Sequence, residues 1–153
     1  MHLRPAQLAD APFLAHVHWT SWRETYDLPA AHWESDTLAR RTRRWEEMLP
    51  HVSGTLVVAE DDDIVGFAWS GPARPKGGDI VREQELYSLY TLRCVHGTGV
   101  GARLLRAAVP GPAQLWVAED NARARAFYRK HGFAEDGARL VDALGITEVR
   151  MLR

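Results

Sequence analysis

The 153-residue chain predicts an α/β (α+β) fold, a mixed sheet with helices on both faces. Three observations carry that expectation. Runs of alternating apolar residues are interleaved with stretches of helical period. Asp61-Asp62-Asp63 separates two strand-like runs and reads as a hairpin turn. Further on, a strand, a glycine-rich turn, a helix, a strand and a helix follow in order, a β-α-β-α unit whose strands are parallel if adjacent. No linker, repeat or low-complexity tract interrupts the chain, so residues 1–153 are expected to form one domain.

Leu3-Arg4 starts the first strand, which Pro5 stops. Asp10 stands where a helix N-cap belongs, with Pro12 in the first turn. That helix continues through Phe13, Leu14, Val17 and Trp22, and Ala15, Trp19, Trp22 and Tyr26 make one stripe along it. Pro29 interrupts the pattern. A second helix begins near Ser35-Asp36, with Leu38, Trp45, Met48 and Leu49 inward and Arg40, Arg41, Arg43 and Arg44 mostly outward. Thr55–Glu60 and Ile64–Ser70 form the hairpin, and 71–78 is a loop by its Gly, Pro and Lys content. Glu85–Leu92 is a strand, Val100–Ala108 a helix, Gln114–Glu119 a strand, Ala122–Lys130 a helix ended by Gly132, and Ile146–Leu152 a last strand.

Composition narrows the function classes. Nineteen basic residues against twenty acidic ones give a formal charge of −1, which argues against a nucleic-acid binder. No run is long and apolar enough to span a bilayer, and Met1–Pro5 does not open a secretory signal, so a cytoplasmic protein without a membrane partner is expected. The single cysteine, Cys94, excludes an internal disulfide and a Cys-based zinc site. His16 and His18 lie two apart and do not face one another on a helix, so no metal is expected there. Seventeen of the nineteen cations are Arg, and there are six Trp. Codon bias towards Arg and Ala accounts for the Arg excess better than function does.

His96-Gly97-Thr98-Gly99-Val100-Gly101 lies between a strand and a helix. Glycines there permit positive φ and let backbone N–H groups approach an anion, while the following helix adds its free N–H groups and dipole. A tight turn with no ligand fits the same residues. The register is neither the Rossmann dinucleotide pattern nor a P-loop.

Longer stretches are more specific. Residues 85–105, from Glu85-Leu86-Tyr87 through His96 to Gly101-Ala102-Arg103-Leu104-Leu105, resemble the acetyl-CoA motif of the GNAT acetyltransferase superfamily. Downstream, Asn121, Ala124, Phe127-Tyr128 and Gly132-Phe133 resemble the second half of that family's core, and Trp22–Tyr26 and Glu148–Arg150 are also similar to members. The resemblance implies a GNAT fold with a mixed, mostly antiparallel, twisted sheet of about six to seven strands, splayed at the acetyl-CoA site. It implies that Leu89, Tyr90 and Thr91 pair with the pantetheine and polarise the thioester carbonyl. It further implies that His96, Gly97, Thr98, Gly99, Val100, Gly101 and Ala102 hold the pyrophosphate, with Asn121 and Tyr128 near the cofactor arm. Two departures stand out. His96 stands where the family usually has Arg or Gln, and Arg93 where it usually has Pro. A neutral His donates one N–H only, so either CoA binding is weaker here or Arg93 supplies the missing cation.

Acetyl transfer to an amine needs a neutral amine, a polarised carbonyl and a proton for the departing thiolate. By the resemblance, Glu85 is the candidate base, directly or through water, with Glu83 as a competitor; an exposed or salt-bridged strand Glu is the other reading. Tyr128 has the position of the family's general acid, and a phenol of pKa about 10 can protonate a thiolate; a ring packing the last core helix is the alternative. Asn121 is a strong N-cap whether or not it touches cofactor. Trp19, Trp22 and Tyr26 are either core or acceptor-site lining, and 71–79 is the other candidate for substrate selection. The expected activity is direct transfer from acetyl-CoA to a primary amine of a small molecule. Alternatives are a protein N-terminus or lysine as acceptor, and a non-catalytic CoA-binding regulatory module. Members of the superfamily are often dimers, so a homodimer is expected.

Overall fold

The computed structural model describes all 153 residues. Its strands are β1 (His2–Pro5), β2 (Thr55–Glu60), β3 (Ile64–Pro72), β4 (Gln84–Thr91), β5 (Gln114–Ala118), β6 (Ala134–Val141) and β7 (Thr147–Leu152). Its helices are α1 (Ala11–Thr25), α2 (Ala30–Ser35), α3 (Leu38–Met48), α4 (Val100–Ala108) and α5 (Ala122–Lys130). The seven strands form one mixed sheet in the order β1-β2-β3-β4-β5-β7-β6. β1 runs antiparallel to β2, and β7 runs antiparallel to both β5 and β6. β4 and β5 are parallel, as the crossover through α4 demands, and their register consists of Glu85↔Gln114 and Leu86↔Leu115.

The chain packs as two compact units. One comprises Met1–Trp69 with Ser88–Ala108, the other Ser70–Tyr87 with Val109–Arg153. In the first, Leu14 and Val17 of α1, Trp45 of α3, Leu56 and Val58 of β2 and Phe67 of β3 share a buried cluster. Val57 and Ala59 alternate to the opposite side of β2, and α4 packs on that strand with Leu104 and Leu105 buried. Helices therefore lie on both faces, as expected. In the second unit, Leu115 and Val117 of β5 and Val149 and Met151 of β7 are buried together with Phe133.

Several local expectations change. Asp10 makes no cap hydrogen bond to α1. Its carboxylate accepts the Gln7 N–H at 2.7 Å and the forked guanidinium of Arg4 at 2.7 and 2.9 Å, and Arg4 also binds Glu60. A bidentate pair charged on both sides outweighs a cap bond in which only the acceptor is charged. The second helix starts later than expected, at Leu38, capped by Thr37 Oγ1, which accepts the Arg40 N–H. Residues 30–35 form the separate short helix α2. Arg41 turns inward, only 7% exposed, because Asp36 takes its Nε and Nη2 at 2.8 and 2.6 Å. β3 runs on to Pro72, so the loop begins two residues later than its composition suggests.

Candidate active site

In the first unit, β4 ends at Thr91 and a 3-10 turn, Arg93–Val95, leads into the glycine turn. Gly97 has φ +81° and Gly99 φ +85°, values that L side chains rarely adopt. A Cβ built at either position meets nothing within 4 Å, so both glycines face open space. The first helical bond here runs from Arg103 N–H to Gly99 O, which leaves the N–H groups of Val100, Gly101 and Ala102 without acceptors inside α4. Thr98 folds back, its Oγ1 donating to Val95 O at 2.8 Å. These residues fit a pyrophosphate: they offer backbone donors at a helix N-terminus, with open space beside both glycines.

His96 is tied to the strand that precedes the turn. Its Nε2 lies 3.1 Å from the Thr91 carbonyl oxygen. A carbonyl only accepts, so the ring proton sits on Nε2 and ties the turn to the end of β4. That N–H is thereby taken up by the Thr91 carbonyl. Arg93, with its side chain 71% exposed and the Glu24 carboxylate at 3.9 Å, is an exposed cation beside this turn. Cys94 is exposed and free.

The same unit brings the aromatic candidates to β4. Trp22 Nε1 donates to Tyr90 Oη at 2.9 Å, and the Trp22 and Tyr26 rings lie 4.6 Å apart. Trp19 is tied elsewhere: its Nε1 donates to Asp36 O, and Arg23 stacks on its ring at 4.6 Å. Leu89, Tyr90 and Thr91 are all half-buried. One residue was assigned no role from the sequence. His18, one turn before Trp22, has ring centroids within 5.0–6.1 Å of Trp22, Trp45, Phe67 and Tyr90. Its spacing from Leu14 and Trp22 puts it on the inward stripe, the signal that could have marked it.

Burial first, then the charge of Arg41, pushes the His18 pKa from 6.5 down to about 3. Between those values the unfolded chain holds a proton the folded chain lacks, so stability is complete above 6.5 and falls as pH falls. The stability difference between the native protein and His18→Phe is expected to shift by about 2 kcal/mol between pH 7 and pH 5, in favour of the variant at the lower pH. Urea unfolding at the two pH values measures it; a constant difference would show that His18 charges equally in both states.

In the second unit, Glu85 is 0% exposed. Arg74 takes both of its carboxylate oxygens: the backbone N–H donates to Oε2 at 2.8 Å and Nη2 to Oε1 at 2.9 Å. Around it the segment after β3 is fastened to the sheet. Tyr87 Oη donates to Pro72 O, Gln114 Oε1 accepts the N–H groups of Val81 and Arg82, and Arg150 donates to Asp79 O. A proton acceptor must be reachable. Glu85, sealed and engaged by Arg74, anchors residues 73–83, which favours the salt-bridged reading of this residue. Glu83 is exposed and its backbone carbonyl accepts the Ala73 N–H. Asn121 caps α5, its Oδ1 accepting the Ala124 N–H at 3.0 Å. Tyr128 is buried on α5, with Phe127 and Phe133 rings at 5.3 and 5.8 Å.

The mixed sheet, with one parallel pair leading through an open glycine turn into a helix, defines a GNAT-type fold. The family described as acetyltransferase (GNAT) domain matches residues 52–135, and the chain belongs to this family. An uncharacterized N-acetyltransferase of Mycobacterium tuberculosis (strain ATCC 25618 / H37Rv) is 38% identical over 91 residues, 55% of this chain and 54% of that one. The chain thus spans about half the length of that relative. A probable N-acetyltransferase of the same organism is 27% identical over 148 residues, covering 90% of this chain and 82% of its own length. The crystal structure of a PaiA N-acetyltransferase from Thermoplasma acidophilum, in complex with coenzyme A, superimposes with a TM-score of 0.66 at 18% identity, covering 97% of this chain and 96% of that one. No helix here is long and apolar enough to cross a membrane.

Proposed function

We propose that the chain transfers an acetyl group from acetyl-CoA to the primary amine of a small molecule. The observation that carries this reading is the open cradle at Gly97 and Gly99, followed by the unpaired N–H groups that start α4. Backbone dipoles there bind a diphosphate without raising the formal charge, which accounts for a polyanion-binding protein whose net charge is −1. The exposed Arg93, just before the turn, is the cation available to the same anion.

Acetyl-CoA, when bound, supplies an activated thioester. The amine nitrogen bonds to the carbonyl carbon as the C–S bond breaks. Tyr128 Oη gives its proton to the departing sulfur and regains one from solvent. The proton lost by the amine passes to water, because Arg74 occupies Glu85. Support for the roles of Tyr128, Asn121 and residues 89–91 is the match of these positions to the family's motif. The test is incubation with acetyl-CoA and a panel of primary amines, reading free thiol. Thiol release that depends on an amine is expected; release that requires a peptide or protein acceptor would move the substrate class.

A further inference from the structure

We propose that His96 and Thr98 are positioning residues of the diphosphate cradle: each spends its side-chain donor on the turn's own backbone, so that a bound diphosphate meets main-chain N–H groups already held in place. This deepens the acetyl-transfer reading and rests on it.

The turn lies wholly within the first unit. Between His96 and Ala102, only His96 and Thr98 carry a side-chain hydrogen-bond donor; the other residues are Gly, Val and Ala. Both donors are spent internally. His96 Nε2 donates to Thr91 O at 3.1 Å, and Thr98 Oγ1 donates to Val95 O at 2.8 Å. One bond spans residues 91–96 and the other 95–98, so they overlap and close the path from the end of β4 to the glycines. Their anchors are fixed in turn. Val95 is buried, and Thr91 O also lies 3.5 Å from Oγ of Ser21, a buried residue of α1. The backbone alone would hold this path less firmly, because the Thr98 N–H reaches Val95 O only at 3.4 Å.

What remains for an anion is main chain. The N–H groups of Val100, Gly101 and Ala102 start α4 without acceptors, and Gly97 and Gly99 keep the approach to them free of side chains. Glycine loses more conformational freedom on ordering than any other residue, and Gly97 and Gly99, at φ +81° and +85°, flank Thr98. A loose turn would bear that ordering cost during binding. A stapled turn meets it during folding, which leaves more of the contact energy as affinity. Residue 96 thus contributes order where a cation would contribute charge, and the charge beside the turn is left to the exposed Arg93.

Calorimetry with acetyl-CoA compares the native protein with His96→Leu and Thr98→Val, which fill similar space and donate nothing, and with His96→Gln and Thr98→Ser, which keep a donor. The Kd is expected to rise about fivefold in His96→Leu and in Thr98→Val, the worth of one hydrogen bond. In His96→Gln and Thr98→Ser it returns to within about twofold of the native value. In the thiol-release assay the effect falls on KM for acetyl-CoA and not on kcat. Added salt weakens binding with the same slope in the native protein and in His96→Gln, because the ring brings no charge to the diphosphate. Native affinity in both His96→Leu and Thr98→Val, or a slope that flattens in His96→Gln, would overturn the proposal; the flatter slope would make His96 a cation for the diphosphate. If His96→Leu does not fold, the Thr98 pair decides, since Thr98 is exposed and Val keeps its β-branched shape. A native protein that binds no acetyl-CoA would contradict the acetyl-transfer reading and this proposal together, whereas binding that ignores the substitutions would contradict the proposal alone.

Discussion

Tyr128→Phe is expected to lower turnover by about two orders of magnitude or more, the usual worth of a positioned general acid, while acetyl-CoA affinity stays within about twofold. The substitution isolates the phenol because it keeps the ring. Tyr128 is buried on α5 against Phe127 and Phe133, and Phe refills the same space. A loss in kcat with an intact fold therefore reads the proton and not the packing. Single-turnover kinetics with a fixed amine measures it. Equal turnover would reduce Tyr128 to a core residue, and the sulfur would then take its proton from water.

Glu85→Gln separates the anchor from the base. The anchor role predicts a loss of about 1.5–3 kcal/mol, the range for hydrogen bonds to a charged group, seen as a lower thermal midpoint. It also predicts faster proteolysis within residues 73–83, the segment that Arg74 and Glu85 hold. Arg74 keeps half of its side-chain surface in water, so its orphaned charge is solvated and the loss stays moderate. The pH dependence of kcat/KM keeps its acidic limb in this account, because that limb belongs to the substrate amine. A variant that is fully stable yet loses the acidic limb would restore Glu85 as the base.

Much of the framework is local and so was legible. Gly97 and Gly99 are needed for positive φ, and the apolar periods of 100–108 and 122–130 need no distant partner to be read. β6 was not singled out from the sequence as a strand, because it is an edge strand exposed at most positions and shows no apolar alternation. α2 buries no residue and has no stripe to find. The errors at Asp10 and Arg41 share a cause. Each was given a local role, a cap and an outward face, and each instead joins an ion pair with a partner across a turn or a strand. His96 was legible as a departure, but its bond to Thr91 O depends on the turn's three-dimensional course.

Part of the Arg and Trp content has a visible structural use. Arg23 stacks on Trp19 and Trp33, Arg41 on Trp22 and Arg150 on Trp116, while Arg4, Arg74 and Arg125 take carboxylates in forks or pairs. A planar guanidinium does this and an ammonium does not. These six arginines put that planarity to use in the folded chain.

Calorimetric titration with acetyl-CoA tests the central claim most directly. The account predicts saturable 1:1 binding, lost when Gly99→Val places a β-branched side chain at a positive φ in the open cradle. Absence of binding at millimolar acetyl-CoA, or equal binding by the Gly99→Val variant, would contradict it.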